Sequence, residues 1–329
     1  MNHKINNFVF EGGGVLGIAY LGVLDYLCQK GMYSSIKNVA GTSAGAITAC
    51  VSSFNLPFQD MKRIADSLDY RKIPEVGDVP ELKYLPPALK REMNKIVGNI
   101  DCVYRLLNRY GWYSSNYFYQ WLQQTIADQF DSTKKAPPYT FADFKNAAIH
   151  KDKRPFKDLY IMGTNLSYKI SKLFSYETTP DVEVALAVRI SMSIPLFFES
   201  ISTTDSNITH DDVPNLFVDG GVMANYPIQL FDTGKSPNQQ TVGAHFKSQI
   251  KYSKTNNLLD FIKNLNAAYM DIQQNAYNHS PQDISRTIDI DTGSISPVNF
   301  NVTPNDETYN FLYQQGIKAS EQYFDSRKK

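Results

Sequence analysis

The sequence predicts an α/β fold built on a parallel sheet, and three observations predict it. An apolar run, Phe8-Val9-Phe10, stops abruptly at Gly12-Gly13-Gly14, and a helical pattern follows. A second run, 36–39, feeds Gly41-Thr42-Ser43-Ala44-Gly45. After it Ala46, Ile47, Ala49, Cys50 and Val51 make an almost wholly apolar helix. Strand, glycine loop, helix, strand, tight turn and helix in that order imply parallel strands joined by crossover helices.

The remaining elements follow along the chain. In the first helix Leu16, Tyr20, Leu24 and Leu27, reinforced by Val23, recur at helical spacing, and Lys30-Gly31 supplies a basic last turn and a C-cap. From about 66 to 109 the pattern loosens, because Pro74, Pro80, Pro86 and Pro87 break it and Lys90-Arg91 sits among Leu85, Leu89, Met93 and Ile96. That stretch has too few apolar residues for its own core, so it is expected to be a mostly helical insertion covering an edge or the mouth of the sheet. A helix is expected at 116–130, with Phe118, Leu122 and Ile126 on one face and Pro137-Pro138 beyond it. Strands are expected at 159–165, 172–176, 216–218 and 241–246, and helices at 182–191, 257–277 and 306–324. The Asn/Thr/Ser/Asp-rich stretch 202–215 reads as a mobile surface loop.

Composition bounds the function. With 329 residues, 42 % of them hydrophobic and 20 % charged, the chain can bury a large core. Its 33 Lys+Arg balance 33 Asp+Glu, so no global field gathers a polyanion, and nucleic acid is not an expected partner. Cys28, Cys50 and Cys102 are odd in number and far apart, which argues against a disulfide framework or a structural zinc site. The nearly nonpolar stretch 12–24 follows Lys4 as a secretory leader would, but Glu11 and Asp25 bracket it and no small-residue cleavage site follows. At thirteen residues (24 − 12 + 1) it is also shorter than the roughly 20 that span a bilayer. No transmembrane helix is expected, and the chain reads as an intracellular type.

Gly41-Thr42-Ser43-Ala44-Gly45 is the strongest chemical signal. A serine on a strand-to-helix turn has its hydroxyl pushed clear of the backbone, and the small neighbours Gly41 and Gly45 make such a turn feasible. Gly12-Gly13-Gly14-Val15-Leu16-Gly17 fits a glycine loop at a helix start, where free N–H groups face a negative charge. A dinucleotide site would want an acid about 20 positions later; Asp25 comes too early and nothing suitable closes 36–39. An oxyanion hole has no such requirement, and the second strand ending in a serine favours that use.

Ser43 needs a base. None of His3, His150, His210, His245 and His279 sits in a motif. Asp219-Gly220-Gly221 closes an apolar strand, which places an approachable carboxylate at a sheet mouth. Ser43, Asp219 and either His245 or His279 obey the Ser, Asp, His order of an α/β-hydrolase, but only two short strands precede Ser43, fewer than that fold uses. A Ser–Asp dyad is the better reading.

These residues resemble a family. The glycine loop, the Ser43 motif and Asp219-Gly220-Gly221, in that order and with those separations, look like the three signatures of patatin-like phospholipases. Lesser features agree: Gly111-Trp112-Tyr113, Thr140-Phe141-Ala142-Asp143-Phe144, Gly163-Thr164-Asn165-Leu166, the run from Arg189 to Pro195, and Asn225-Tyr226-Pro227 after the acid. The resemblance covers about 5–232, and a strand near Asp289-Ile290-Asp291 with a helix around Gly316 looks like the family's usual ending within 240–329. One domain is therefore expected to fill 1–329.

The resemblance implies a three-layer α/β/α fold with a central, mostly parallel sheet and a calcium-independent serine acyl hydrolase that needs no cofactor and no metal. Ser43 would attack an ester carbonyl, Asp219 would take its proton, and Gly12, Gly13 and Gly14 would form the oxyanion hole. Gly17, Gly41, Gly45, Gly220 and Gly221 would serve the backbone of these motifs. The implied partner is membrane or micellar lipid, met by peripheral contact, in the cytoplasm or after secretion without a cleaved leader. Some relatives are toxins silent until a host cofactor is supplied, so an activating protein partner is carried as an expectation. One departure stands out: the family commonly has Arg or Lys where this chain has Leu16, which leaves lysolipids and neutral glycerides open as substrates. A basic run (Lys151, Lys153, Arg154, Lys157) reads first as a solvated loop and second as a contact for anionic lipid, and the aromatics Tyr110, Trp112, Tyr113, Tyr117 and Tyr119 fit either a membrane interface or the core. The competing class is a lipid- or partner-binding protein that keeps the fold without turnover.

Overall fold

The computed structural model describes residues 4–209, 212–234, 236–247, 252–278 and 280–326. Its strands are β1 (Asn7–Phe10), β2 (Asn38–Thr42), β3 (Gly111–Tyr113), β4 (Asp158–Asn165), β5 (Ile170–Phe174), β6 (Leu196–Phe198), β7 (Ile201–Thr203), β8 (Asn215–Asp219), β9 (Thr241–Phe246) and β10 (Thr287–Ile290). The α-helices are α1 (Ala19–Gln29), α2 (Ala44–Ser53), α3 (Phe58–Asp66), α4 (Pro87–Val97), α5 (Ile100–Arg109) and α6 (Asn116–Ala127). They continue with α7 (Phe141–Lys145), α8 (Val184–Ser191), α9 (Leu258–Asn278), α10 (Pro281–Ser285) and α11 (Glu307–Asp325).

The main sheet runs β10-β9-β1-β2-β4-β8-β7, with β5 also on β4. From β10 to β4 every pairing is parallel, as the strand–helix alternation requires; β5, β8 and β7 join antiparallel. Helices flank the sheet in three layers. Phe8, Phe10 and Val39 face the large core with α1, α2 and α8, while Val9 and Ala40 point the other way onto Ile228. The run expected to mimic a leader belongs to that core: Val15, Leu16, Ile18, Leu21 and Leu24 are all buried. Helices α1 and α11 pack at backbone contact, since a Cβ on Gly316 would lie 1.9 Å from the Ala19 carbonyl oxygen.

Strand β4 organises the end of the sheet that carries Ser43 and Asp219. β5 pairs with it over 161–165, β2 over 158–162 and β8 over 163–165. A strand has two edges and β5 holds one of them, so β2 and β8 share the other, running toward each other. Thr42 pairs with Met162 and Asp219 with the next residue, Gly163. The two strand ends therefore meet head to head.

Helices α4 and α5 occupy the stretch expected to be a helical insertion. It is tied to the body by β3 pairing with β6 and by buried Arg105, which donates to Gly77 O at 2.6 Å and Trp112 O at 3.0 Å. Two expectations need correction. The stretch 202–215 is not wholly a surface loop: it begins in β7, ends in β8, and Ile208 and Thr209 between them are buried. The basic run is not one exposed face either: Lys151 and Lys153 are exposed, but the other two cations are not. Lys157 is buried, donating to Tyr33 O and Ile36 O, and Arg154 turns inward to Phe54 O and Gln129. Tyr119 bonds Glu183 and Tyr113 packs on Phe197, leaving Tyr110 as the exposed member of the aromatic group.

Candidate functional site

Ser43 lies between the end of β2 and the first residue of α2 with φ 53° and ψ −121°, a left-handed conformation unusual for a residue with a side chain. Such strain persists only where the surroundings dictate it, and here they do. A Cβ on Gly41 would meet Gly45 O at 2.2 Å, and one on Gly45 would meet Phe10 O at 2.3 Å. The turn closes this tightly because both positions lack a side chain. The Ser43 N–H donates to Ser191 Oγ at 2.8 Å, and that hydroxyl donates to Met162 O at 2.6 Å, so α8 and β4 together lock the elbow.

Asp219 closes β8. Its Oδ1 accepts the Gly221 N–H at 2.6 Å; its Oδ2 is buried without a hydrogen-bond partner among the described residues. Burial pushes its pKa up to about 7, while the Gly221 N–H and the Ser43 hydroxyl pull in the other direction. The hydroxyl thus acts on the carboxyl although no hydrogen bond to Oδ2 is complete, and the two groups are neighbours rather than a fully bonded pair. A Cβ on Gly220 would meet Met162 O at 2.3 Å, so this glycine lets the chain turn against β4.

Of the two histidines of the alternative triad, His245 is engaged elsewhere. His245 on β9 bonds Asp289 at 2.9 Å and faces Glu11 at 3.7 Å; His150 bonds the carbonyls of Arg154 and Asp143. His3, His210 and His279 lie outside the described residues.

The glycine loop departs from expectation at one position. Gly12 N–H donates to Asn225 O at 3.0 Å and is not free to hold an oxyanion. Gly13 and Gly14 open the turn Gly14–Ile18, and their N–H groups have no acceptor among the described residues, leaving these two as the candidate donors. Gly14 has φ 54°, and Gly17 keeps this turn close to α2, since a Cβ there would lie 3.0 Å from Ala44 Cβ.

Residues that sequence reasoning did not single out hold this loop. The Asn225 side chain donates to Glu11 Oε1 at 3.1 Å and to Gly12 O at 3.2 Å. Glu11 Oε2 accepts the Phe246 N–H at 2.8 Å, and burial raises the Glu11 pKa against the lowering effect of His245. Gln273 on α9 accepts from Asn225 N and donates to Gly221 O, linking the glycine loop to the Asp219 turn. Asn225 carried a signal in the Asn-Tyr-Pro run after the acid; Glu11 and Gln273 carried none.

An apolar pocket of about 80 Å³ opens beside Ser43, walled by Ile18, Leu21, Ile47, Val51, Leu68 and Trp121. Leu68, Tyr70 and Ile73, at the start of the insertion, close one side, so that segment does cover the mouth of the site. Among the described residues no three metal-ligating side chains converge, and no helix is long and apolar enough to cross a membrane.

Comparison with known proteins bears on this geometry. A family model described as patatin-like phospholipase matches residues 8–232. An uncharacterized protein, R571, of Acanthamoeba polyphaga mimivirus is 25 % identical over 336 residues, covering 97 % of this chain and 93 % of that one. A probable lipid hydrolase, 463L, of Invertebrate iridescent virus 6 is 25 % identical over 224 residues, 68 % of this chain and 61 % of its own length. Among solved structures, VipD of Legionella pneumophila superposes with a TM-score of 0.59 at 18 % identity, covering 98 % of this chain and 67 % of that one. ExoU of Pseudomonas aeruginosa, solved in complex with SpcU, gives a TM-score of 0.50 at 18 % identity, covering 98 % and 53 %.

Proposed function

The chain belongs to the patatin-like phospholipase family, and from that premise we propose that it hydrolyses carboxylic esters of lipids, with Ser43 as nucleophile and Asp219 as general base. The observation that carries this reading is the strained Ser43 elbow beside the buried Asp219 carboxyl at the mouth of an apolar pocket.

The chemistry follows from the placement. Asp219 takes the Ser43 proton as Oγ attacks the ester carbonyl, and general-base help of this kind is worth about 10² to 10⁴ in rate. The carbonyl oxygen gains charge and meets the Gly13 and Gly14 N–H groups, each such donor being worth about 10² to 10³. Collapse expels the alcohol, protonated by Asp219, and leaves acyl-Ser43 with its chain in the apolar pocket. Asp219 then deprotonates a water that attacks the acyl-enzyme and frees the fatty acid. The products are those of a phospholipase A or lysophospholipase, and the cycle uses no calcium.

The test is fatty-acid release from mixed phospholipid vesicles and from diacylglycerol, with Ser43→Ala beside the wild type, and labelling of Ser43 by a fluorophosphonate. Release and labelling that both disappear in Ser43→Ala support the reading. Lipid binding without any release, unchanged by Ser43→Ala and by added cell extract, identifies a binding protein instead. The extract supplies any activating protein, so that an inactive purified sample is not mistaken for a binding protein.

A further inference from the structure

A second cavity, of about 380 Å³, lies on the other side of the glycine loop. Gly14 and Ile194 line both cavities, so the loop with its two free amides forms part of the partition between them. The first cavity is walled by apolar side chains. The second is lined by Lys247, Lys263, Asn264 and Ser296 as well as by apolar residues. Lys247 directly follows Phe246, the ring that abuts Gly13, and Lys263 projects from α9. Neither ammonium group has an ion-pair partner among the described residues, although many other lysines of this chain do. The one carboxyl lining this cavity among the described residues, Glu11, is buried and has both oxygens engaged, by Asn225 and by Phe246 N. Leu16, at the position where the family resemblance implies a cation, lines this same cavity.

We propose that Lys247 and Lys263 form a subsite for the phosphate of a phosphate-bearing ester, so that the acyl chain lies on one side of the Gly13–Gly14 loop and the phosphorylated alcohol on the other. The inference rests on the ester-hydrolase reading and narrows it to phospholipids. Two lysines without ion-pair partners among the described residues, lining one cavity with amide and hydroxyl side chains, are the chemistry that holds a phosphodiester. A glycerophospholipid carries its phosphate a few bonds from the scissile carbonyl, a reach suited to adjacent cavities. A neutral glyceride leaves both cations unanswered.

Two measurements test it. The first is kcat/KM for phosphatidylglycerol and for the matched diacylglycerol in mixed micelles, for wild type, Lys247→Ala/Lys263→Ala and Lys247→Arg/Lys263→Arg. The alanine pair is expected to lower the phospholipid-to-diacylglycerol ratio tenfold or more, mainly through KM, and the arginine pair to restore it; an unchanged ratio overturns the subsite while leaving the hydrolase intact. The second uses Ser43→Ala protein and needs no turnover: glycerophosphoglycerol is expected to raise the melting midpoint, and the alanine pair to abolish that rise. A rise with inorganic phosphate but none with glycerophosphoglycerol identifies a free-anion site and overturns the lipid assignment. A lysine-dependent rise in a protein that releases no fatty acid keeps the subsite and removes the hydrolase reading.

Discussion

Asn225 donates to Glu11 Oε1 at 3.1 Å across 214 positions of sequence, and the same amide reaches Gly12 O at 3.2 Å. The contact fixes the glycine loop against the turn that follows Asp219. Its removal should let the Gly13 and Gly14 amides drift while the pockets remain. Asn225→Ala is expected to lower kcat by about 10²-fold, the scale of a misplacement near 1 Å, with KM changed far less. A KM effect equal to the kcat effect in steady-state kinetics would show that Asn225 acts on binding instead.

Asp219 should set the pH dependence of the reaction. Its carboxyl must be ionised to accept the Ser43 proton, and burial raises its pKa to about 7. The kcat/KM profile is therefore expected to fall as pH drops below about 7, rather than near the ordinary carboxylate range.

The same shift makes a stability prediction. Between the unfolded value near 3.8 and the folded value of about 7 the native state binds more protons than the unfolded one, so this group's contribution to stability declines as pH rises through that window. Asp219→Asn removes the buried charge. It should raise the melting midpoint at pH 8 by about 2 °C or more, with no comparable gain at pH 5, while activity is lost. An equal shift at both pH values in calorimetry would refute this.

The elbow tolerates no side chain at its flanks. Gly45→Ala is expected to cost about 1 to 3 kcal/mol in urea unfolding, because a methyl group would press on Phe10 O in β1, and backbone there cannot yield as a flexible side chain would. The substitution should also lower kcat, since Ser43 shares the distorted turn.

The apolar pocket is expected to set chain length. Ile47→Trp would fill space beside Ser43 and is expected to slow hydrolysis of long-chain esters about tenfold relative to short-chain ones. Equal slowing of p-nitrophenyl acetate and palmitate would show that the acyl chain lies elsewhere.

Much of the architecture was legible in periodicity. The expected 241–246 strand is β9 without a shift, and the expected helices at 182–191, 257–277 and 306–324 match α8, α9 and α11 to within two residues at each end. Short pairings were not legible. β3, β6 and β7 are three residues each, too brief to show alternation, and they exist because β3 and β6 pair with each other and β8 offers β7 a partner. The basic run misled for a related reason: four cations in one segment look like a solvated face until Tyr33 O, Ile36 O and Phe54 O prove to be the acceptors of two of them. The Gly12 amide could not have been excluded as a donor from sequence, because its acceptor lies beyond residue 220.

The sequence by itself determined the local chemistry of this protein: a serine between two glycines at a strand end, an acid before two more, and a glycine loop at a helix start. These are short-range matters of backbone freedom and helix polarity, which each segment carries alone. Tertiary structure alone decided that the serine and the acid are neighbours. β5 claims one edge of β4, so β2 and β8 must share the other and meet at Met162 and Gly163. The limit of two hydrogen-bonding edges per strand, which no local pattern encodes, brings Ser43 to Asp219.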